Sequence, residues 1–267
     1  QISGPTGAFV IIISSIHMQF GFGCLAIATM LAGLILVALG LCRLGALIKF
    51  VPFPVVTGFT SGIAVVIFAT QLKDIFGLQI EEMPQEFINK LIVVVQNIGT
   101  TKFAALAICL ITIGTIYFFR KFFPRLPAML IGMLVGTLIS LMPSMGVETI
   151  GSRFGDLPRF LPFPSLPEIS WSWSMLQQLS MPALSIALLA AIESLLSATV
   201  ADGMTGTKHY PNTELIGIGI GNVASVLFGG IPATGAIART ATNIRAGGQT
   251  PVAGLIHAVT IVLTILL

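Results

Sequence analysis

Two stretches of this sequence place glycine, proline and threonine directly before a short apolar run. The first lead, Ser3–Gly7 (SGPTG), runs into AFVIIISSI, and the second lead, Gly230–Gly235 (GIPATG), runs into AIARTATNI. Each predicts an extended segment followed by a helix that is too short to span a bilayer, since a span takes about 20 residues. The N-terminus of a helix has unpaired N–H groups and roughly half a positive charge, so it favours an anion.

Irregular backbone at membrane depth is tolerated only where protein or a water-filled cavity covers it. Short segments interrupted by Gly and Pro at corresponding places in two halves of a chain mark the binding site of a transporter. If the two leads meet near the midplane of the bilayer, both helix N-termini face one cavity. The alternative is a pair of ordinary turns with N-caps. We predict an anion site, with the Thr6 and Thr234 hydroxyls as donors, at Pro5, Thr6, Gly7, Thr234, Gly235 and Ala236.

Glu193 lies in the middle of an apolar helical run, MPALSIALLAAIESLLSATVADG. A carboxylate inside the membrane is costly and indicates function by default. It could carry a co-transported proton or help to ligate Na⁺. Ser197 follows one helical turn later on the same face and could add an oxygen ligand. The alternative is a structural hydrogen bond to a neighbouring helix.

Arg239 lies on the second short helix, about one turn beyond the second lead. Two roles are open for it. It could add positive potential to the cavity, or it could brace the helix against a carboxylate, for which Glu193 is the candidate. The GIGIGN stretch (Gly217, Gly219, Gly221) resembles a dinucleotide fingerprint only superficially, because no strand precedes it, and it predicts close helix packing instead.

Composition identifies the bilayer as the surroundings of this chain. The 267 residues are 55% hydrophobic and 9% charged, whereas a soluble domain is about 25% charged. The net charge of +3 comes without a basic tract, which argues against nucleic acid. The three cysteines have no metal-binding spacing, and no phosphate-binding P-loop, nucleophile–base pair or metal cluster is apparent. We therefore expect neither a metal nor an enzyme.

Hydropathy predicts about nine membrane segments. They are Pro5–Ile16, Gly23–Leu41, Val55–Leu72, Lys102–Phe119, Pro127–Met142, Met181–Val200, Thr213–Phe228, Thr234–Ile244 and Pro251–Leu267. Residues 73–97 predict a helix lying in the interface. Residues 143–180 predict a long external loop with Trp171 and Trp173 as headgroup anchors, and the loops with Arg43 and Arg120 are predicted to be cytoplasmic.

Four stretches of the chain resemble the SulP sulfate permease family, which is related to the solute-carrier anion exchangers. They are Gln1–Gly7 (QISGPTG), Ala191–Ser194 (AIES), Val200–His209 (VADGMTGTKH) and Gly229–Thr240 (GGIPATGAIART). The resemblance implies an all-α polytopic fold of fourteen segments in two inverted repeats of seven. These form core and gate domains, with two half-helices that meet at the midplane. It also implies that the short helices hold the anion, with Arg239 near it.

The resemblance further implies how much of the family's architecture is present. The chain matches about segments three to eleven, as one transmembrane domain truncated at both ends and without the cytoplasmic STAS domain. Glu193 matches an acidic position that is a sodium ligand in a sodium-coupled bicarbonate member. Glutamate in place of aspartate leaves the coupling ion, Na⁺ or H⁺, open. We expect the full-length protein to be a homodimer in the inner (plasma) membrane.

We predict secondary active transport of a small inorganic anion by alternating access, with sulfate as the first choice because of the family name. Alternatives are a bicarbonate or C4-dicarboxylate carrier on the same scaffold, or a passive anion channel. A membrane enzyme lacks candidate residues. A nucleobase carrier should present carboxylates and aromatic side chains to a base, but here the short helices are small and apolar.

Overall fold

A computed structural model describes residues 1–46, 53–80, 83–84, 86–124, 126–142, 145–155, 162–165 and 172–266. These residues form helices, one 3₁₀ turn and two short strands. In chain order the elements are β1 (Ser3–Gly4), α1 (Phe9–Leu41), α2 (Phe53–Phe76), α3 (Phe87–Gln96), a 3₁₀ turn (Ile98–Thr100), α4 (Phe103–Phe122), α5 (Ala128–Ser140), α6 (Ile150–Phe154), α7 (Trp173–Thr205), α8 (Pro211–Leu227), β2 (Thr234–Gly235), α9 (Ile237–Arg245) and α10 (Val252–Leu266).

Helix α1 contains the first two predicted segments, joined end to end. The helical backbone is interrupted at Gly21, which has φ 82° and ψ 173°. This positive φ is a conformation that glycine adopts without steric cost. The short helix that follows the first lead therefore begins at Phe9 and ends before Gly21. The sequence separates the two segments correctly but does not predict that a single residue joins them.

Helix α7 is longer than predicted. It begins at Trp173, where the Ser172 hydroxyl accepts a hydrogen bond from the N–H of Met175 at 3.2 Å, and this side-chain cap satisfies one of the orphan N–H groups of the first turn. Trp173 is therefore the first helical residue and not part of a loop, although it remains 75% exposed. Trp171 lies outside the described residues. The helix ends at Gly206, which has φ 73°.

The chain divides into two compact units, the first of which contains both leads. Unit 1 comprises Gln1–Gly58 and Pro158–Leu267. In it α1 packs against α7 and α8, and α9 packs against α7. At the α1–α8 contact a Cβ on Gly33 would lie 2.7 Å from the Gly219 carbonyl oxygen, and a Cβ on Gly219 would lie 2.6 Å from the Gly33 carbonyl oxygen. The helix-packing interpretation of the GIGIGN stretch is thus confirmed at Gly219.

Unit 2 comprises Phe59–Leu157. Its helices α4 and α5 pack together through small residues, since a Cβ on Gly136 would lie 2.6 Å from Thr112 Oγ1. Helix α3 confirms the predicted helix after the charged segment. Its Val94 packs in a buried apolar cluster with Leu78 and Ile80.

Three helices among the described residues are long and apolar enough to span a bilayer. They are α1, α4 and α7. The predicted termini of the remaining segments shift by a few residues, and α9 is confirmed as a short helix of nine residues.

Candidate functional site

The two leads meet, as the sequence predicts, and they pair as strands. β1 and β2 are antiparallel, with Ser3 opposite Gly235 and Gly4 opposite Thr234. The pairing continues beyond the strands, because the Ala236 N–H donates to the Ile2 carbonyl at 2.9 Å. The Ile2 N–H in turn donates to Thr240 Oγ1 at 3.0 Å. The sequence does not predict this strand pairing, because the strands are only two residues long.

Each strand leads directly into the short helix that the sequence predicts. In the first lead the Thr6 carbonyl accepts from the Phe9 N–H at 3.2 Å, and this bond closes the first turn of α1. In the second lead Ala236 is the N-cap of α9 and makes no side-chain cap. The N–H groups of Ile237 and Ala238 have no hydrogen-bond partner among the described residues. The start of α9 therefore has the unpaired donors that an anion can use.

Ser194 of α7 holds the second lead in place. Its Oγ accepts from the Gly235 N–H at 3.0 Å and lies 2.8 Å from Thr234 Oγ1. Thr234 Oγ1 donates to the Ala190 carbonyl at 3.0 Å, and its side chain is fully buried. The Thr234 hydroxyl therefore fixes the lead to α7. It is not available as a donor to an anion in this structure, contrary to the sequence-based prediction.

Glu193 contacts the opposite lead. Its Oε2 accepts a hydrogen bond from Thr6 Oγ1 at 2.8 Å, and the carboxylate is half-buried. The Thr6 hydroxyl, predicted as a donor to the anion, therefore donates to Glu193 in this structure. Ser197, predicted as a further oxygen ligand beside Glu193, is fully buried and donates to Thr240 Oγ1 at 3.1 Å. Its hydroxyl thus ties α7 to α9, which is the structural alternative that the sequence left open.

Arg239 spans from the second short helix to the first lead. Its Nη2 donates to the Pro5 carbonyl oxygen at 3.1 Å, and the residue is exposed. A Cβ on Gly4 would lie 2.7 Å from Arg239 Nη1, so the small residue at position 4 leaves room for the guanidinium. No ion pair joins Arg239 to Glu193 in the described part of the chain. Of the two roles left open for Arg239, the contact with a carboxylate is therefore not observed. Arg239 donates to the backbone carbonyl of Pro5 instead.

Residues that the sequence analysis did not select complete the framework of the leads. Asn222 of α8 uses both ends of its amide on Ala233, accepting from its N–H at 2.9 Å and donating to its carbonyl at 2.8 Å. Thr240 receives hydrogen bonds from Ile2 and Ser197. Buried polar side chains in apolar helices usually serve a neighbouring segment, and this signal could have identified them.

A cavity of about 980 Å³ in unit 1 borders Gln1–Gly4, which includes the first two residues of the first lead. Polar side chains of α8 and α9, among them Asn222 and Asn243, line it together with one carboxylate, Glu214. Thr6, Glu193 and Arg239 do not line this cavity. The predicted anion-binding residues therefore lie beside it and not on its wall.

Comparison with known proteins assigns the chain to a family. The sequence model of the sulfate permease family matches residues 1–267. The chain belongs to that family. Among family members, the Bacillus subtilis (strain 168) protein YvdB, which has a provisional name as a sulfate transporter, is 46% identical over 268 residues. These are 100% of this chain and 50% of YvdB.

A second relative carries a different substrate in its name. The bicarbonate transporter BicA of Synechocystis sp. (strain ATCC 27184 / PCC 6803 / Kazusa) is 31% identical over 274 residues, covering 99% of this chain and 47% of BicA. The chain thus spans about half the length of the curated relatives that it matches. Both relatives are named as transporters and neither as an enzyme.

Solved structures confirm the fold class. The transmembrane domain of a cyanobacterial bicarbonate transporter BicA matches with a TM-score of 0.82 at 32% identity, over 99% of this chain and 68% of that one. The structure of SLC26A9 matches with a TM-score of 0.81 over 100% of this chain and 46% of that one. At 21% identity the second match concerns the fold alone. The chain has the all-α polytopic membrane fold of this family, and the predicted inverted repeat is consistent with these structures.

Proposed function

We propose that the protein of which this chain forms part is a secondary active transporter of a small inorganic anion. The observation that carries the proposal is the pairing of the two leads, which brings the starts of two short helices together. The unpaired N–H groups of Ile237 and Ala238 and the guanidinium of Arg239 supply positive potential there. No covalent chemistry is required of the site.

In this proposal the substrate binds beside the backbones of the two leads, at Pro5, Thr6, Gly7, Gly235 and Ala236 together with Arg239. Its backbone donors in the second lead are the N–H groups of Ile237 and Ala238, because those of Gly235 and Ala236 already donate to Ser194 and Ile2. The hydroxyl of Thr234 supports the second lead from behind. Unit 1 contains both leads and corresponds to the core domain, and unit 2 corresponds to the gate domain. Movement of one domain against the other would expose the site to alternate sides of the inner (plasma) membrane.

Glu193 is the proposed coupling residue, with H⁺ or Na⁺ as the coupling ion. Its contact with Thr6 supports this role, because a change in the charge of the carboxylate would directly change the hydrogen bond to the first lead. Protonation converts the carboxylate from a pure acceptor into a group that can also donate, and it removes a negative charge from the vicinity of the anion. Ser197 is not included, since its hydroxyl serves Thr240.

Sulfate is the first choice of substrate, and it is supported by the family name. Bicarbonate is a specific second candidate, because two of the cited similarities, at 31% and 32% identity, are to bicarbonate transporters named BicA. The site consists of backbone donors and one cation, which suits either anion. Homodimerisation of the full-length protein is a further expectation.

The deciding experiment is uptake by the full-length protein in liposomes. Labelled sulfate, bicarbonate and succinate are offered under imposed proton or sodium gradients, and accumulation is measured over time. We expect gradient-dependent accumulation of one inorganic anion. Absence of gradient-dependent uptake of all three would contradict the carrier proposal, and conductance without coupled accumulation would favour a channel.

Replacement of Glu193 by glutamine separates coupling from binding. The amide oxygen of Glu193→Gln can still accept from Thr6, so the lead should stay in place while the titratable charge is lost. We expect the variant to lose gradient-driven accumulation and to retain anion binding. Glu86→Gln, at an exposed carboxylate before α3, is the control and should transport normally. Wild-type coupling in Glu193→Gln would assign a merely structural role to Glu193.

A further inference from the structure

A second pocket lies in unit 2 and is lined by none of the residues of the leads. Its volume is about 390 Å³, and it is formed where several helices end. The last turn of α2 contributes Gln71 and Asp74, the first turns of α4 contribute Ala105 and Cys109, and α5 contributes its final residue, Ser140. Because α4 is long and apolar enough to span a bilayer, its first turn should lie at the depth of the lipid headgroups.

Basic side chains outnumber acidic ones around this pocket. Its walls include Lys73, Lys102 and Arg153 against Asp74 and Glu148. Asp74 already forms an ion pair with Arg153, since its Oδ1 lies 2.9 Å from Arg153 Nη1. Lys73 donates to the Ile80 carbonyl, which leaves its positive charge unneutralised. Neither lysine forms an ion pair within the described residues, so two half-buried cations remain for an anionic ligand, against one exposed carboxylate, that of Glu148.

The backbone holds Lys102 at the edge of the pocket. Its N–H donates to the Phe76 carbonyl at 2.9 Å, which joins the start of α4 to the end of α2. The adjacent Gly77 has φ 59°, and a Cβ there would lie 3.0 Å from the Cβ of Lys102. The side chain of Lys102 therefore leaves the backbone at a defined place beside the pocket.

Six aliphatic side chains also line the pocket. They are Ile75, Leu78, Ala105, Ile108, Val147 and Ile150, and the polar side chains of Gln71, Ser140 and Thr149 are among the remaining wall residues. A pocket lined by both cations and aliphatic side chains suits an amphipathic anion better than a fully hydrated one, since the hydrated ion would leave the aliphatic side chains unused. By the predicted topology the start of α4 and residues 147–153 lie on the external side of the membrane, so at headgroup depth such a ligand would come from the outer leaflet.

We propose that this pocket binds the phosphate group of an anionic phospholipid, with Lys73 and Lys102 as its principal cationic contacts. Arg153 contributes from within its pair with Asp74, and the aliphatic wall contacts the glycerol and the first acyl carbons. Free inorganic phosphate shares the same recognition chemistry, so the test must separate the two sources. The proposal is independent of the transported anion, because it concerns different residues in a different unit.

Binding is measured on the purified full-length protein in a neutral detergent. Short-chain dioctanoyl phosphatidylglycerol, dioctanoyl phosphatidylcholine and inorganic phosphate are titrated separately. Retained lipid is counted by native mass spectrometry, and thermal stabilisation is recorded in parallel. We expect phosphatidylglycerol to bind more tightly than phosphatidylcholine, and inorganic phosphate at millimolar concentration to compete only weakly.

Variants locate the site. Lys73→Gln and Lys102→Gln should each weaken phosphatidylglycerol binding about fivefold, the effect of one cation near an anionic lipid. Lys102→Arg should retain binding. Lys121→Gln is the matched control, because it removes an exposed cation from the last turn of the same helix, α4.

A second readout does not depend on variants that might unfold. Cys109 lines the pocket, and in a protein with its other cysteines replaced by serine, phosphatidylglycerol should slow alkylation of Cys109. Equal binding of the two lipids, or unchanged binding in the two glutamine variants, would overturn the proposal. If inorganic phosphate displaced phosphatidylglycerol completely, the lipid assignment would be overturned and the pocket would be a binding site for a free anion.

Discussion

A single hydroxyl group, that of Ser194, holds the second lead through two contacts. It accepts from the Gly235 N–H and lies beside Thr234 Oγ1, and the residue is fully buried. Lead segments have irregular backbone and cannot satisfy all of their own polar groups, so the partners must come from neighbouring helices. Ser194, Asn222 and Thr240 provide them here. At the scale of the residue, the polar side chains of the buried framework stabilise the leads, and backbone donors remain for an anion.

Ser194→Ala tests this framework. The variant leaves the Gly235 N–H buried without a partner, and an unsatisfied buried donor costs about 1–3 kcal/mol. We expect a lower free energy of unfolding and a lower midpoint of thermal unfolding in detergent. Ser185→Ala is the control, since Ser185 is exposed on the same helix and bonds only to the Met181 carbonyl. Equal midpoints for the two variants would refute the framework role of Ser194.

The charge of Arg239 can be separated from its contact with Pro5. Arg239→Lys keeps the charge, whereas Arg239→Gln keeps a hydrogen-bond donor but removes the charge. A unit charge about 4 Å from an anion contributes at least about 1 kcal/mol, so we expect Arg239→Gln to raise the substrate KM at least about fivefold. Arg239→Lys should stay near the wild-type KM in liposome uptake. The reverse order would mean that the hydrogen bond to Pro5, and not the charge, is what matters.

At the scale of elements, the helix backbones approach closely where α1 and α8 cross. Gly33 and Gly219 face each other there, and each lacks room for a Cβ. Small residues let helix backbones approach closely where no hydrophobic driving force from water is available. The crossing also places Asn222, three residues beyond Gly219, within reach of Ala233 in the second lead. Helix packing and site geometry are thus connected through α8.

Gly219→Ala should disturb this crossing. Its new methyl group would lie 2.6 Å from the Gly33 carbonyl oxygen and 2.8 Å from the Val37 backbone N. Neither backbone group can move without shifting the helix, and overpacking of this kind costs about 1–3 kcal/mol. We expect a lower unfolding midpoint than for Gly217→Ala, a substitution in the same helix where no atom lies within 4 Å. If Gly219→Ala were as stable as Gly217→Ala, the crossing would be looser than described.

The bounds of a helix can be predicted from the sequence where the length of an apolar run determines them. The bilayer fixes a length for apolar runs, so the segments in α4, α5 and α10 could be predicted to within a few residues. The start of α7 could not, because the Ser172 cap extends the helix beyond the apolar run. The strand pairing and the contact of Arg239 with Pro5 also could not be predicted, since both join residues more than two hundred positions apart. The residue types of the leads predict two short helices, the family resemblance implies that these helices meet, and only the structure defines the contacts.

At the scale of the whole molecule, the chain forms two compact units, and both leads belong to the first. Alternating access requires that a site be exposed first to one side of the membrane and then to the other. A site confined to one unit can be carried by that unit as a rigid piece. In the proposed mechanism the hydrogen bonds of Ser194, Asn222 and Thr240 would hold the leads in place during such a movement.

A cysteine at Ser3 should report this movement. Ser3 is exposed, lies in β1 and borders the 980 Å³ cavity. We expect a membrane-impermeant thiol reagent to modify Ser3→Cys at a rate that changes when substrate is added, because binding alters the population of the two exposures. Thr213→Cys, at an exposed position near the start of α8, should react at the same rate with and without substrate. A rate at position 3 that is also insensitive to substrate would argue against movement at the leads.

The pairing of the leads also determines when the site can form during synthesis. Ile2 and Thr240, which share a hydrogen bond, are 238 residues apart. At 5–20 residues per second the ribosome needs roughly 10–50 s to make the intervening chain. Until then the first lead has no partner strand, and closing so long a loop costs about 5 kcal/mol of chain entropy. The polar backbone groups of the first lead must therefore have other hydrogen-bond partners until β2 and α9 have been synthesised and can complete the site.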